Sequence, residues 1–553
     1  MMKLKTLSFS IALALSATAL SGCGGSNNNN NTTTPTPTDN SGTITEPTWT
    51  AGQFAASDTF QHQCETPRTG TDPYENAPYP DKAGTAMHEK MWLRSFSNET
   101  YLWYDEVEDK DPKHPDFDSD EQLDTVAKYF RHLKTDAVTE SGEAKDKYHY
   151  SESYEDFKKE AESGLVSGYG VRWAFISSMP PRVLRVAFTQ NGSPAAQAGL
   201  LRGDTITAIN GVDINTSTET DKLNAGLLPQ AGETHSFTVK RENVEEPITF
   251  SLTATDVQST PVQNAKIIEV ANKKVGYVQF NQFIQVGQEP LIKAFNQFAN
   301  KNVDELVLDM RYNGGGLVAM SAQLGYMVAG EEQSKASDGN NAKVFSSLIH
   351  NDKRSDENEY YPFVNLAIDW DAGKFTNNLL PSVNLDTVYI LSSSGTCSAS
   401  ESLINGLRGI NVKVVLIGGQ TCGKPYGFTP EANCGEVYYT VQFKGANAKD
   451  FGDFAEGFKP VPETEITQST IGLTDKVPGC TVADDFANQL GDSKEGMLAA
   501  ALTHIETGNC PVSKQSVQNA PAISVHSQGQ GIGLSTPYHP MRDGLVDIKV
   551  KKQ

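Results

Sequence analysis

Ser398, in Thr396-Cys397-Ser398-Ala399-Ser400-Glu401, and Lys424, in Thr421-Cys422-Gly423-Lys424, are the residues of this chain best suited to chemistry. They lie 26 positions apart. A serine hydroxyl is a weak nucleophile until a nearby base takes its proton, and a desolvated lysine amine is one such base. Burial beside apolar neighbours would disfavour the ammonium form of Lys424, lower its pKa and leave an amine able to accept that proton. A third segment, Asp309-Met310-Arg311-Tyr312-Asn313-Gly314-Gly315-Gly316, supplies glycines with unhindered amides. The amides of Gly315 and Ala399 are the expected donors to an oxyanion. A serine at a helix start also gains from the positive end of the helix dipole. Together these groups suit hydrolysis through an acyl-enzyme, with no metal or organic cofactor.

Plainer roles fit some of the same residues. Ser398-x-x-Glu401 has the pattern of a capping box, and Glu401 suits both capping the helix and orienting the site. Ser400 is a second serine in the same turn. His350 is the main histidine of this region before Ser398, and nothing around it marks a base.

The elements that must position these groups are legible as apolar runs. Val388, Ile390 and Leu391 form a strand leading into the serine turn, and Leu403 and Leu407 mark the helix that follows. A second strand, Val412 to Ile417, leads to Lys424. Strand, helix, strand brings a serine and a lysine to one end of a sheet. Leu306-Val307-Leu308-Asp309 is a buried strand feeding the glycine loop. Val275 to Phe280 is another strand, and Leu291, Phe295 and Phe298 mark an amphipathic helix.

The chain of 553 residues is long enough for two to four domains. With 68 acidic against 46 basic residues its formal charge is −22, which argues against nucleic-acid binding, since phosphate contact needs clustered cations. Residues 1–22 read as a targeting segment: Lys3 and Lys5 precede an apolar run from Leu7 to Leu20. Residues 23–60 read as a tether poor in large apolar side chains. Residues 61–163 carry Trp92, Phe96, Tyr101, Trp103 and Tyr104, with Leu123, Val126, Phe130 and Leu133 at helical spacing, and are expected to form a small helical domain. Short strands and glycine turns fill 164–258, a larger α/β domain spans 259–511, and 512–553 is a tail with a last strand expected at Leu545 to Val550.

Besides Cys23 there are six cysteines, an even number that suits disulfides in an exported protein. No CxxC spacing or histidine cluster suggests zinc. Local loop closure favours Cys422 with Cys434 and Cys480 with Cys510, leaving Cys64 for Cys397.

Three resemblances follow. Leu20-Ser21-Gly22-Cys23 resembles the bacterial lipobox, which implies acylation of Cys23 and anchoring at the outer membrane, facing the periplasm. Gly192 to Leu200, Arg202-Gly203-Asp204-Thr205-Ile206 and Ile209-Asn210-Gly211-Val212 resemble the PDZ domain, which places Gly168, Tyr169, Gly170 and Val171 at its carboxylate-binding loop. In that mode backbone amides hold a peptide's C-terminal carboxylate while the peptide adds as a strand. The PDZ pattern combined with Asp-x-Arg-x-Asn-x-Gly-Gly, Ser-Ala-Ser-Glu and Gly-Lys is similar to the C-terminal processing peptidases of family S41, over about Gly164 to Gly427.

That resemblance implies an α/β multidomain chain whose ββα core is crotonase-like, with a PDZ domain before it. It implies Ser398 as nucleophile, Lys424 as base, and substrates that are exported proteins with exposed C-termini. The chain departs from the pattern at Phe428, where some relatives carry a glutamine that orients the lysine. It also departs in Cys397 and Cys422 beside the two motifs, and in a serine–lysine interval one residue longer. A non-catalytic peptide- or lipid-binding protein on the same core is the alternative, and a PDZ scaffold a third.

Overall fold

The structure, a computed structural model, describes residues 44–511 apart from 121–122, 337–340 and 468, together with 534, 545–548 and 550. Cys23 and the expected targeting segment lie outside the described residues. Met1–Thr45 and Glu46–Gln553 are separate units, and the elements described here belong to the second.

In the N-terminal stretch, helices α1 (Ala86–Thr100) and α2 (Thr125–His132) bury Met91, Trp92, Phe96, Val126, Tyr129 and Phe130 against one another. Asp124 starts α2 by accepting from Val126 N and Ala127 N at 2.9 and 2.8 Å. This small core also contains Tyr438, from far downstream. The strand Tyr150–Ser153 pairs antiparallel with Glu436–Tyr439, so the stretch is stitched to the largest domain by main-chain bonds.

Next come β1 (Val171–Ser177), β2 (Val183–Thr189), α3 (Pro194–Ala198), β3 (Thr205–Ile209), α4 (Thr220–Leu227), β4 (Thr234–Lys240) and β5 (Ile248–Thr253). They form an antiparallel sheet in the order β5-β4-β3-β2-β1, and Asn210-Gly211 turns the chain from Ile209 into its partner Val212. Trp173, Leu184, Val186, Ile206, Phe237 and Val239 fill its core.

The largest region is built on alternation. Its strands are β6 (Val262–Val270), β7 (Lys273–Phe280), β8 (Glu305–Asp309), β9 (Thr387–Ser392), β10 (Lys413–Gly418), β11 (Lys459–Val461) and β12 (Lys476–Thr481), in the sheet order β6-β7-β8-β9-β10-β12-β11. Only β6 and β7 pair antiparallel; the other pairs are parallel. Successive side chains point to opposite faces. Val278, Phe280, Leu306, Leu308, Ile390 and Leu416 therefore share one core with helices α5 (Gln288–Lys301), α6 (Val318–Ser334) and α7 (Ala399–Gly409). Tyr277, Val307, Tyr389, Leu391 and Ile417 share another with α8 (Gly496–Thr507). With both faces covered, strands β7 to β10 end together, and the loops leaving β8, β9 and β10 carry the glycine, serine and lysine segments.

The disulfides correct two of the three expected pairings. Cys480 pairs with Cys510 as expected, but Cys422 pairs with Cys397 and Cys434 with Cys64. Preference for short loops misleads here. The Cys64–Cys434 bridge spans 370 positions, and beside it Gln61 Nε2 donates to Glu431 Oε1 at 3.0 Å and His62 N to Asn433 Oδ1 at 2.8 Å, so distant contacts hold those two segments together.

Candidate active site

The serine segment turns sharply between the end of β9 and the start of α7. Ser398 has φ 61° and ψ −110°, a conformation that L side chains rarely adopt. Several bonds hold it there. Thr396 Oγ1 donates to Met310 O at 2.9 Å, Cys397 N to Asn313 O at 3.0 Å, and Ser400 Oγ to the same carbonyl at 3.0 Å. Ser321 Oγ of α6 donates to Ala399 O at 2.7 Å. Ser400, the second serine of the turn, is thus occupied in fixing the glycine loop. Ser398 is fully buried and its Oγ has no hydrogen-bond partner among the described residues.

Asn313 organises the glycine loop. Its Nδ2 donates to Phe280 O at 3.0 Å, and its Oδ1 accepts from Gly315 N at 3.0 Å. The Gly315 amide, expected at the oxyanion, is therefore engaged within its own loop. Gly316 has φ 123°, and a Cβ there would lie 2.2 Å from Phe283 O, so the loop can pass only as glycine.

Glu401 joins the serine and lysine segments. Its Oε2 accepts from Ser398 N at 2.9 Å and Lys424 N at 2.7 Å, and its Oε1 from Thr421 Oγ1 at 2.6 Å and Gly423 N at 2.8 Å. The glutamate half of the capping box is thus a full hydrogen bond, while its serine half is a looser approach of Ser398 Oγ to the Glu401 amide that falls short of one. Burial pushes the Glu401 carboxyl above the usual carboxylate range even though these four donors oppose it. The Cys397–Cys422 disulfide and a bond from Cys422 N to Thr396 O at 3.1 Å tie the same two segments together. At Gly423, φ is 84° and a Cβ would meet Ala455 O at 2.1 Å, so only glycine lets the chain reach Lys424 by this path.

Lys424 is 1% exposed. Its Nζ lies 4.4 Å from the ring centroid of Phe428 and 4.4 Å from that of Tyr148. Ring faces attract an ammonium, whereas desolvation disfavours it, so the two influences oppose each other here. Phe428 thus packs on the lysine in the place where some relatives carry a glutamine. Tyr148, which the sequence did not mark, arrives from the N-terminal stretch and also donates to Gly423 O at 3.1 Å. His350 packs on Phe443, and the strand Phe443–Ala446 stands between it and Gly427.

The expected carboxylate loop lies at the edge of the β1–β5 sheet. Gly168 ends a strand paired with Thr255–Gln258, Tyr169 is buried with its ring 5.3 Å from Phe237, and Val171 opens β1. Tyr169 O accepts from Ala195 N at 3.1 Å and Gly170 O from Gln190 N at 2.7 Å.

Residues 274–433 match peptidase family S41, and residues 190–241 match the PDZ domain. A carboxyl-terminal-processing protease of Picosynechococcus is 29% identical over 267 residues, 48% of this chain and 56% of that protein. The chloroplastic carboxyl-terminal-processing peptidase 2 of Arabidopsis thaliana is 31% identical over 161 residues, 28% of this chain and 30% of its own length. A crystal structure from Bacteroides fragilis, provisionally assigned as an S41 protease, is similar with a TM-score of 0.51 and 25% identity, covering 78% of this chain and 98% of that one. The chain spans about half the length of the first curated relatives it matches.

Proposed function

Because this chain carries a peptidase family S41 domain behind a PDZ domain, we propose that it is a serine endopeptidase of the C-terminal processing kind, working through Ser398 and Lys424. The observation that carries this reading is Ser398 itself. A buried hydroxyl without a hydrogen-bond partner, held at positive φ on a helix start, is costly unless reactivity requires it. The neutral amine of Lys424 takes the Oγ proton as Oγ attacks the scissile carbonyl. The resulting ammonium returns that proton to the leaving amine as the tetrahedral intermediate collapses. Water, deprotonated by the same lysine, then releases the acyl group. Ala399 N at the start of α7 faces the developing oxyanion, and Gly315 N joins it once its bond to Asn313 is exchanged. Glu401 positions both segments without touching the substrate.

Substrates on this reading are exported proteins with exposed C-termini, received at Gly168, Tyr169, Gly170 and Val171 while the chain upstream reaches Ser398. We further read the core as crotonase-like, 61–163 as a small helical domain, and 1–22 as a signal segment. An acyl anchor on Cys23 would hold the protein at an outer membrane, facing the periplasm. Sedimentation of a Cys23→Ser form with membranes after a salt wash would count against that anchor. The catalytic proposal is tested with a fluorophosphonate probe: mass spectrometry should place the adduct on Ser398 and find none in Ser398→Ala. An unlabelled, folded protein that still binds peptide would favour the non-catalytic binding alternative.

A further inference from the structure

Two described pieces of the C-terminal segment lie where a substrate would be expected. Leu534 is fully buried in the core of the β1–β5 sheet, in one cluster with Tyr169 of the candidate carboxylate loop. Eleven residues on, Leu545–Val546 runs as a strand parallel to Gly316–Leu317, with Gly316 opposite Leu545 and Leu317 opposite Val546. Val546 also bridges Phe428, and Asp547 N donates to Phe428 O at 3.0 Å. One short strand is therefore wedged between the glycine loop and the chain leaving Lys424.

The wedge is well seated. Val546 is fully buried in the main core, and Ile548 and Val550 pack against that core. In the sequence Val546, Ile548 and Val550 alternate with Asp547, Lys549 and Lys551, the period-two pattern of a strand, and Asp547 on the other face is buried as well. An extended peptide binds a protein by completing main-chain pairing at an exposed strand and placing alternate side chains in pockets. The tail does both. While it is in place, the main-chain groups it pairs with are unavailable to another peptide, and Ser398 and Lys424 are 0% and 1% exposed.

We infer that the C-terminal segment, seated through Leu534 and Val546, is an internal occupant of the peptide slot, and that a polypeptide substrate enters only by displacing it. The inference rests on the proteolytic reading and adds a regulatory step to it. A strand carried on the same chain meets its site intramolecularly, so it competes at a higher effective concentration than the same peptide free in solution. The occupant also indicates what the slot prefers: an extended segment with aliphatic residues at alternate positions.

The test compares the full chain, a form ending at residue 533, and full-length Val546→Asp, using an unstructured reporter peptide. Truncation and Val546→Asp should each raise kcat/KM tenfold or more, mainly by lowering KM. A synthetic peptide of residues 534–553 should inhibit the truncated form competitively, and a fluorescent version should bind truncated Ser398→Ala by anisotropy. If truncation unfolds the protein, as circular dichroism would show, Val546→Asp decides alone. Unchanged kinetics in the folded variants, with no peptide binding, would overturn the inference while leaving the protease reading intact. Peptide binding to the truncated Ser398→Ala form, with every serine-containing form inactive and unlabelled by fluorophosphonate, would support the occupied slot and reject the protease reading instead.

Discussion

Two buried polar clusters flank the ends of β8 and β9, and they are built on opposite rules. In the first, the Arg311 guanidinium meets Asp309 twice at 2.9 Å, Glu495 at 2.5 and 2.7 Å, and Asp484 at 2.9 Å. Tyr277 donates to Asp309 at 2.8 Å, while Arg202, from the β1–β5 sheet, pairs with Asp484 and donates to Tyr312 at 2.7 Å. Burial raises the Asp484 carboxyl, yet Arg202 and Arg311 draw it below the ordinary range. In the second cluster the buried carboxyl of Glu401 takes its four bonds from neutral donors and sits above that range, beside a serine oxygen with no partner. The first cluster answers charge with charge and locks the sheet domain to the glycine loop. The second leaves one group, the Ser398 hydroxyl, unsatisfied.

The largest effect should follow from breaking the saturated cluster. Arg311→Met leaves the buried carboxylates of Asp309 and Glu495 without a cation, while Asp484 keeps Arg202, and loss of one partner from a buried ionic network costs about 3–5 kcal/mol. Urea unfolding should show that loss, and an unshifted midpoint would mean the network is not what stabilises this edge. Separating the two segments of the reactive cluster comes next. Cys397→Ser with Cys422→Ser opens a loop of 25 positions, for which about 2–4 kcal/mol is expected. Melting temperature and peptidase rate should fall together.

Glu401→Gln keeps the shape but turns an amide group toward donors that need an acceptor, at about 1–3 kcal/mol. As a positioning change it should lower kcat at least tenfold with little change in KM. An equal rise in KM would instead indicate substrate contact. Glu436 supplies the smallest effect, in the cavity between the N-terminal helices and Tyr438. Burial, reinforced by Asp124, raises its carboxyl to about 7. The folded state then holds a proton that the unfolded state has released, so this group favours folding below about 4.5 and loses that contribution as pH rises through about 7. Glu436→Gln should flatten the decline and be the more stable form at pH 8, by about 1 kcal/mol after screening. His149 beside it, lowered to about 4 by burial, contributes with opposite sign but equally in both proteins and cancels in the difference. Parallel stability–pH curves would refute the assignment.

What the sequence disclosed follows the range of the signals. Period-two apolar runs and glycine spacing are local, so the strand entering the Ser398 turn, the helix after it, and the likenesses to the PDZ domain and to peptidase family S41 were legible in the sequence. Contacts between distant segments leave no such mark. Nothing near Tyr148 signals that its ring reaches Lys424, 276 positions on. Arg202, Arg311, Asp484 and Glu495 come from separate parts of the chain and meet only through the packing of the two sheets. The same limit explains the misassigned partners of Cys64, Cys397, Cys422 and Cys434. The Gly315 amide was expected free because glycine reads as accessible backbone, whereas the side chain of Asn313 two residues earlier folds back onto it.

The pH dependence of kcat/KM, measured for the parent and for Lys424→Arg, tests the serine–lysine pair most directly. A lysine base works only as the neutral amine, so the parent rate should climb with pH through the lysine's ionisation and then level. Arginine keeps the charge and the contact with Tyr148 and Phe428 but does not deprotonate, so Lys424→Arg should lose at least a thousandfold at every pH. Lys424→Arg turnover near the parent rate, with the same pH profile, would contradict the account.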